Sequence, residues 1–220
     1  GGAWSAQSTA FGGTASAATG TGGNVTGGNV QATITNSTLN LIGSASFGSF
    51  TGGGTGGTNG AGGSATSGAV DVDLVGSTIN VAVGGANNFS SFDVYTQASG
   101  GQGVTVGSAN SARSSLTLTG SSISANNVGV FSTAGASATG PGRTGGAAVS
   151  QEARLLMSGV SGVTANFVSV NANASSSQGG RARAGLALLQ ANSGATATVT
   201  ASQVNVSADG LATAGSGDTM

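Results

Sequence analysis

The 220-residue chain has no cysteine, no histidine and no lysine, and it has a single proline, Pro141. Each absence removes a class of function. Without cysteine there is no disulfide and no thiolate metal site, and the redox compartment cannot be read from cysteine pairing. Without cysteine and histidine, nucleophilic catalysis of the Ser-His-Asp or Cys-His kind and the common zinc sites are excluded. Charged residues make up only 5% of the chain and its net charge is −1. All five cations are arginine, which leaves no concentrated basic face for nucleic acid. No apolar run approaches the roughly 18 residues of a membrane-spanning helix, so membrane insertion is not expected. Residue 1 is glycine, no charged n-region with an apolar h-region follows, and the chain starts and stops inside its own pattern. The reading is one domain over residues 1–220, a fragment or processed form of something longer.

What is abundant is glycine, 43 residues without a G-X-Y period, alongside serine, threonine, alanine and asparagine. A chain 37% hydrophobic with almost no net charge is not composed like a disordered segment, and helix signals are nearly absent. The stretch Ser115 to Ala134 (SLTLTGSSISANNVGVFSTA) sets the pattern. Leu116 and Leu118 alternate with threonines, which is strand period two. A corner at Gly120 to Ser122 delivers Ile123, and a second corner at Ala125 to Asn127 leads to Val128 and Val130.

The same shape recurs at Thr33 to Leu41, Asp73 to Val81, Met157 to Ala165 and Thr198 to Val206. The apolar residue after the first corner falls at Leu39, Ile79, Ile123, Val163 and Val204, in steps of 40, 44, 40 and 41. The alanines of the second corner, Ala86, Ala125, Ala165 and Ala208, step by 39, 40 and 43. Two features holding one period identify an internal repeat. Residues 1–23 resemble the later part of a preceding repeat. The pairs Phe47 and Phe50, and Phe89 and Phe92, predict aromatic stacking between neighbouring repeats. Glycine-rich segments at Thr51 to Gly68, Ala98 to Gly103, Gly135 to Gly146 and Ala174 to Gly185 are expected to be loops or lateral bulges. A third short strand follows each, at Val104 and Val106, Ala147 and Val149, and Leu186 and Leu188. Gln151 to Ser158, the best helix candidate, is read as strand because of its register.

A repeat of short strands cannot bury its apolar face alone, and stacking on like neighbours supplies a continuous core. The expected fold is all-β, a parallel β-solenoid of about five coils with roughly 40 residues per repeat and glycine-rich loops. Leu39, Ile79, Ile123, Val163 and Val204 should form one inward column. LTLTGSSISANNVGVFS and VDLVGSTINV resemble the coils of right-handed parallel β-helix passengers of autotransporter and filamentous-haemagglutinin-like bacterial adhesins. That resemblance implies a right-handed, secreted or surface-exposed rod for adhesion or assembly, and it carries over no catalytic residues. The long glycine-rich loop departs from the family's pattern.

Candidate sites are few. Asp71 and Asp73, two apart and so on one strand face, are the one close acidic pair that could suggest a polysaccharide-degrading enzyme or a Ca²⁺ contact. No other repeat supplies an acid at that phase. The sequence Gly215 to Asp218 is a partial match to a calcium repeat. Asn24, Asn36, Asn88, Asn173 and Asn205 begin glycosylation sequons, a number that this composition produces by chance. Arg113 and Arg154 differ by 41, and Arg143 and Arg183 by 40, with Arg181 beside the latter, so basic ladders contacting a polyanionic polysaccharide are one expectation. An ice-binding plane is the alternative, carried by Thr33 and Thr35, Thr117 and Thr119, and Thr198 and Thr200, but interrupted at Asp73 with Val75 and at Leu156 with Ser158. The expected function is therefore an extracellular structural or adhesive module, not an enzyme, without cofactor or metal. Its expected partners are further copies of itself, stacked head to tail, and a surface polysaccharide.

Overall fold

In the computed structural model, residues 3–83, 90–140, 142–192 and 194–213 are described. Ala86 to Asn88, Phe89, Pro141 and Gly215 to Asp218 lie outside them. Among the described residues every regular element is a strand, and every named strand pair is parallel.

The strand β1 (Trp4–Phe11) closes a turn that precedes five coils. The first coil holds β2 (Val25–Thr26), β3 (Val30–Thr35), β4 (Thr38–Ile42) and β5 (Ser44–Gly52). The second holds β6 (Ala65–Thr66), β7 (Val70–Val75), β8 (Thr78–Ala82) and β9 (Ser91–Ser99). The third holds β10 (Ala109–Asn110), β11 (Ser114–Thr119), β12 (Ser122–Ser124) and β13 (Asn127–Ala136). In the fourth, β14 (Ala147–Val149) and β15 (Ala153–Ser158) lead to one long strand, β16 (Val160–Ser176). The fifth repeats this with β17 (Arg181–Arg183), β18 (Ala187–Ala191), β19 (Thr196–Ser207) and β20 (Gly210–Ala212).

Like strands stack into three sheets. The first runs β2, β6, β10, β14, β17, and the second β3, β7, β11, β15, β18. The third contains β4, β8 and β12 on one flank and β1, β5, β9 and β13 on the other, fused where β16 and β19 run through both. Of the stretch Gln151 to Ser158, Ala153–Ser158 is strand, as β15, in keeping with its register, and Gln151 and Glu152 precede it. The third strand per coil exists, but in the third coil it is β10, after Val104 and Val106, and Leu188 belongs to the second sheet through β18.

The corner between the second and third sheets is built as the sequence suggests. Asn36, Gly76, Gly120 and Gly159 take positive φ (49°, 58°, 56° and 65°), the left-handed backbone that glycine and asparagine adopt at least cost. The next serine turns inward and caps the strand it leaves. Ser77 Oγ donates to the Val75 carbonyl at 2.9 Å, Ser121 Oγ to that of Thr119 at 3.0 Å, and Ser161 Oγ to that of Ser158. Each Oγ also accepts the backbone N–H of the preceding coil's serine: Ser37 to Ser77, Ser77 to Ser121, Ser121 to Ser161. The serine ladder satisfies backbone groups that a tight corner would otherwise strand.

Leu39, Ile79, Ile123 and Val163 pair in register and form one inward column, as expected. Its fifth member is Val199, which pairs with Val163; Val204 pairs with Val168 and is 47% exposed. Val204 therefore belongs to another column, Ala45, Phe92, Val128 and Val168. The last coil is short: β17 follows β14 by 34 residues and β19 follows β16 by 36, so Thr198 to Val206 does not occupy the phase of Thr33 to Leu41. Its alanine corner is Ala201, over Ala165, in place of Ala208.

Aromatic stacking does cross coils, through different partners from those the spacing suggests. The Phe47 and Phe92 rings lie 5.6 Å apart and Trp4 meets Phe47 edge-on at 5.0 Å, while Phe50 stands on the outer face against Phe11. In register Phe92 lies beside Ala45 and Phe47 beside Val94, so a large ring neighbours a smaller side chain and the rings interleave.

Inward side chains shrink along each coil. Leu, Ile, Val and Phe fill the space between the second and third sheets. Beside them Ser49, Thr96 and Ser132 stack as a buried hydroxyl column, followed by an alanine cluster containing Ala65, Ala98, Ala109, Ala134 and Ala148. Past the alanines the two walls meet through glycine. Gly54 N–H donates to the Gly23 carbonyl, Gly63 N–H to Gly54, Gly101 N–H to Gly63 and Gly107 N–H to Gly101, at 2.8 to 3.0 Å. The glycine-rich segments are thus not simply lateral loops: where Gly53, Gly54, Gly62, Gly63, Gly100 and Gly101 stand, an added Cβ would collide with backbone of the facing wall or neighbouring coil.

Candidate functional site

The arginines do not form ladders. Arg154 is in register with Ser115, whereas Arg113 precedes β11, and Arg183 is in register with Val149, whereas Arg143 lies before β14. Differences of 41 and 40 do not match coils whose local offsets are 39 and 34 residues. Arg113 instead grips Asp71 of the preceding coil, with Nη2 at 2.8 Å from both carboxylate oxygens and Nε at 3.1 Å from Oδ1. That hydrogen bonding raises the Arg113 pKa above its ordinary value, and the Asp71 charge adds to it against partial desolvation. Arg154 forms an ion pair with Glu152. Arg181 and Arg183 project from β17 with exposed side chains, and Arg143 is half-buried elsewhere.

Asp71 and Asp73 do share the outer face of β7, but the ion pair with Arg113 occupies Asp71. Among the described residues no cluster of three or more acidic groups could hold a metal ion. No helix among them is long and apolar enough to cross a membrane.

Thr33, Asp73, Thr117, Leu156 and Gln190 make one outward row of the second sheet, and Thr35, Val75, Thr119 and Ser158 the next. Thr198 and Thr200 lie in the third sheet, on β19, so no regular threonine plane forms. Asparagine side chains take structural roles: Asn80 Nδ2 donates to Asn40 Oδ1 at 2.9 Å, Asn166 donates to Asn126, and Asn24 Oδ1 accepts the Ser64 N–H at 2.8 Å.

The concave feature with the richest chemistry is one the spacing arguments miss. On the outer face of the third sheet a groove of about 490 Å³ is lined by Ser91 and Asp93 of β9, Asn127 and Phe131 of β13, and Phe167 and Ser169 of β16. These residues come together because β9, β13 and β16 are in register: Ser91 with Asn127 with Phe167, and Asp93 with Gly129 with Ser169. Gly129 forms the floor. A Cβ there would lie 2.6 Å from Asp93 Oδ1 and would also strike the Phe131 ring, so glycine allows both to converge. Burial pushes the Asp93 carboxyl above its ordinary value, and a hydrogen bond with Ser91 opposes this. No cation pairs with Asp93 among the described residues. The available signal was the alternation of Ser91, Asp93 and Tyr95 with buried Phe92, Val94 and Thr96, which marks Asp93 as outward.

Comparisons with protein-family models, with curated proteins and with solved structures find no match to this chain.

Proposed function

We propose that the chain is a segment of an extracellular structural and adhesive rod that stacks head to tail with copies of itself and performs no catalysis. The observation that carries this reading is the parallel stacking of like strands in register from coil to coil, a surface that a further copy can extend. Columns buried through the middle of the stack end in apolar side chains that still face solvent: Val168 is 1% exposed and its neighbour Val204 47%, Val170 is buried and its neighbour Val206 44%. The parallel edge of β19 carries backbone groups in the same register as the strands beneath it, the arrangement that recruits a further strand. The opposite edge offers β1, β3 and β4, with Trp4 and Leu39 only partly buried. Two unlike edges of this kind, where they meet, make a heterologous contact, which propagates unless its rotation closes. The resemblance to adhesin coils favours an extracellular setting.

Light scattering and negative-stain electron microscopy of the purified chain test the proposal. Filaments that lengthen with concentration, and that vanish in a Val204→Asp, Val206→Asp double variant whose circular dichroism is unchanged, are expected. A strictly monomeric parent at high concentration overturns head-to-tail stacking.

A further inference from the structure

We propose that the groove formed by Ser91, Asp93, Asn127, Phe131, Phe167 and Ser169 binds a neutral carbohydrate chain lying along the stacking axis. This gives a ligand class to the adhesive half of the reading above and does not depend on self-assembly.

A pyranose ring has an apolar C–H face and a rim of hydroxyls, and it is best held by an aromatic ring on one side with hydrogen-bonding groups on the other. The groove presents that combination. Phe167 is 47% exposed, and on the adjacent strand the Phe131 ring folds back over Gly129, two positions along from Asn127, the register partner of Phe167. The same groove is lined by the Asp93 carboxylate and the Ser91 hydroxyl from β9, the Asn127 amide from β13 and the Ser169 hydroxyl from β16. An amide both donates and accepts, a hydroxyl does the same, and an ionised carboxylate accepts up to four hydrogen bonds, which suits vicinal hydroxyls.

Asp93 is the group most in need of such a ligand. It is partly withdrawn from water, has no cation beside it among the described residues, and has Ser91 as its hydrogen-bond partner. A desolvated carboxylate short of donors gains from each hydroxyl that reaches it. The geometry adds a repeat. Groove residues come from three successive coils stacked at about 4.8 Å, close to the length of one sugar unit in an extended chain. A glycan running along the axis would therefore keep step with the coils. Charge selects among glycans. Among the described residues of the groove the one ionisable group is acidic, which disfavours a polyanion, while the neutral donors and acceptors outnumber it and suit a neutral hydroxyl-rich chain.

Isothermal titration calorimetry with the neutral hexamers cellohexaose, laminarihexaose, mannohexaose and chitohexaose, and with a cationic glucosamine hexamer as charge control, tests the inference, with light scattering on the same samples. At least one neutral hexamer should bind, with affinity little changed by added salt. Phe167→Ala and Asp93→Ala should each weaken it tenfold or more, and Phe167→Tyr should retain it. Because Phe167 is half exposed, its alanine variant should melt with the parent, which keeps the test informative if Asp93→Ala fails to fold. The inference is overturned if none of the four binds at millimolar concentration, or if Phe167→Ala binds as the parent does. It is equally overturned if only a glucosamine hexamer binds and salt abolishes that binding. Filaments without glycan binding would remove this inference and leave the stacking rod; glycan binding by a monomer would do the reverse.

Discussion

The hydroxyls of Ser111 and Ser132 meet at 2.7 Å in the interior, joining β13 of the third sheet to the turn that leaves β10. Both are fully buried, and the Ser132 hydroxyl has further partners. Ser132 Oγ also contacts the Ala112 carbonyl at 2.9 Å and accepts the Gln151 N–H at 3.2 Å, while Ser114 Oγ donates to the Phe131 carbonyl at 2.6 Å. Hydroxyls thus bridge opposite walls where the interior has become too narrow for leucine. Replacing Ser132 with Ala leaves a buried backbone donor and a buried hydroxyl with fewer partners. A loss of about 1–3 kcal/mol is expected in urea unfolding. A double-mutant cycle with Ser111→Ala should show coupling between the two sites, and strict additivity would argue against the bridge.

Ile123 and Val204 offer a sharper contrast. Ile123 is 1% exposed and packed between Ile79 and Val163, so Ile123→Asp buries an unpaired charge and should cost of order 3 kcal/mol or more. Val204→Asp places its carboxylate on a half-exposed end strand and should cost well under half of that. Equal melting shifts for the two variants would put Val204 back in the core column.

Legibility followed the size of the side chains. Leu116 and Leu118 alternate with threonine, and Gly120 precedes a serine that must turn inward, so the corner and the Ile123 column could be read directly. The last coil could not. Thr198 to Val206 fits the repeat nearly as well as Thr196 to Ala201, because alanine, serine and threonine serve on both faces. The true phase depends on a shortened glycine-rich segment that has no periodicity of its own. The inward serines were hidden for the same reason, since Ser132 and Thr133 look alike until the pleat assigns one to each side. The groove depends on Asp93, Asn127 and Phe167 meeting across coils with local offsets of 36 and 40 residues, a register that only the strand pairing fixes.

Asp93 should give the fold a pH dependence of known sign. Its folded carboxyl binds a proton more tightly than the unfolded one, whose ordinary value is 3.8. The folded state therefore holds more proton in the window above 3.8, and this group's contribution to stability falls as pH rises through the raised folded value. Asp93→Asn removes the penalty while keeping the shape. At neutral pH the asparagine variant should melt at or above the parent temperature, and the advantage should shrink below pH 3.8, where both forms of the parent are protonated. A variant less stable than the parent at neutral pH, with the gap closing in acid, would show that the carboxylate has a stabilising partner.

The glycine seam makes the most demanding claim about the fold, because it assigns structure to segments whose composition reads as loop. A Cβ at Gly62 would collide with the carbonyl of Gly101 on the next coil, and Gly101 N–H is itself bonded to the Gly63 carbonyl at 2.9 Å. Relief would require separating two backbones that hydrogen-bond to each other, so the strain has no flexible side chain to absorb it. Gly62→Ala should cost about 3 kcal/mol or more, the upper end of overpacking. Gly135 is the matched control. It lies in β13, its nearest neighbour to an added Cβ is Ser175 Oγ at 3.8 Å, and its backbone is not left-handed. Gly135→Ala should leave stability unchanged or raise it by about 0.4–1 kcal/mol, through the smaller entropy of the unfolded chain. Amide hydrogen exchange gives a second readout: Gly54, Gly63 and Gly101 N–H groups should be protected in the parent and in Gly135→Ala, and exposed in Gly62→Ala. Rapid exchange at all three in the parent would return the glycine-rich segments to solvent.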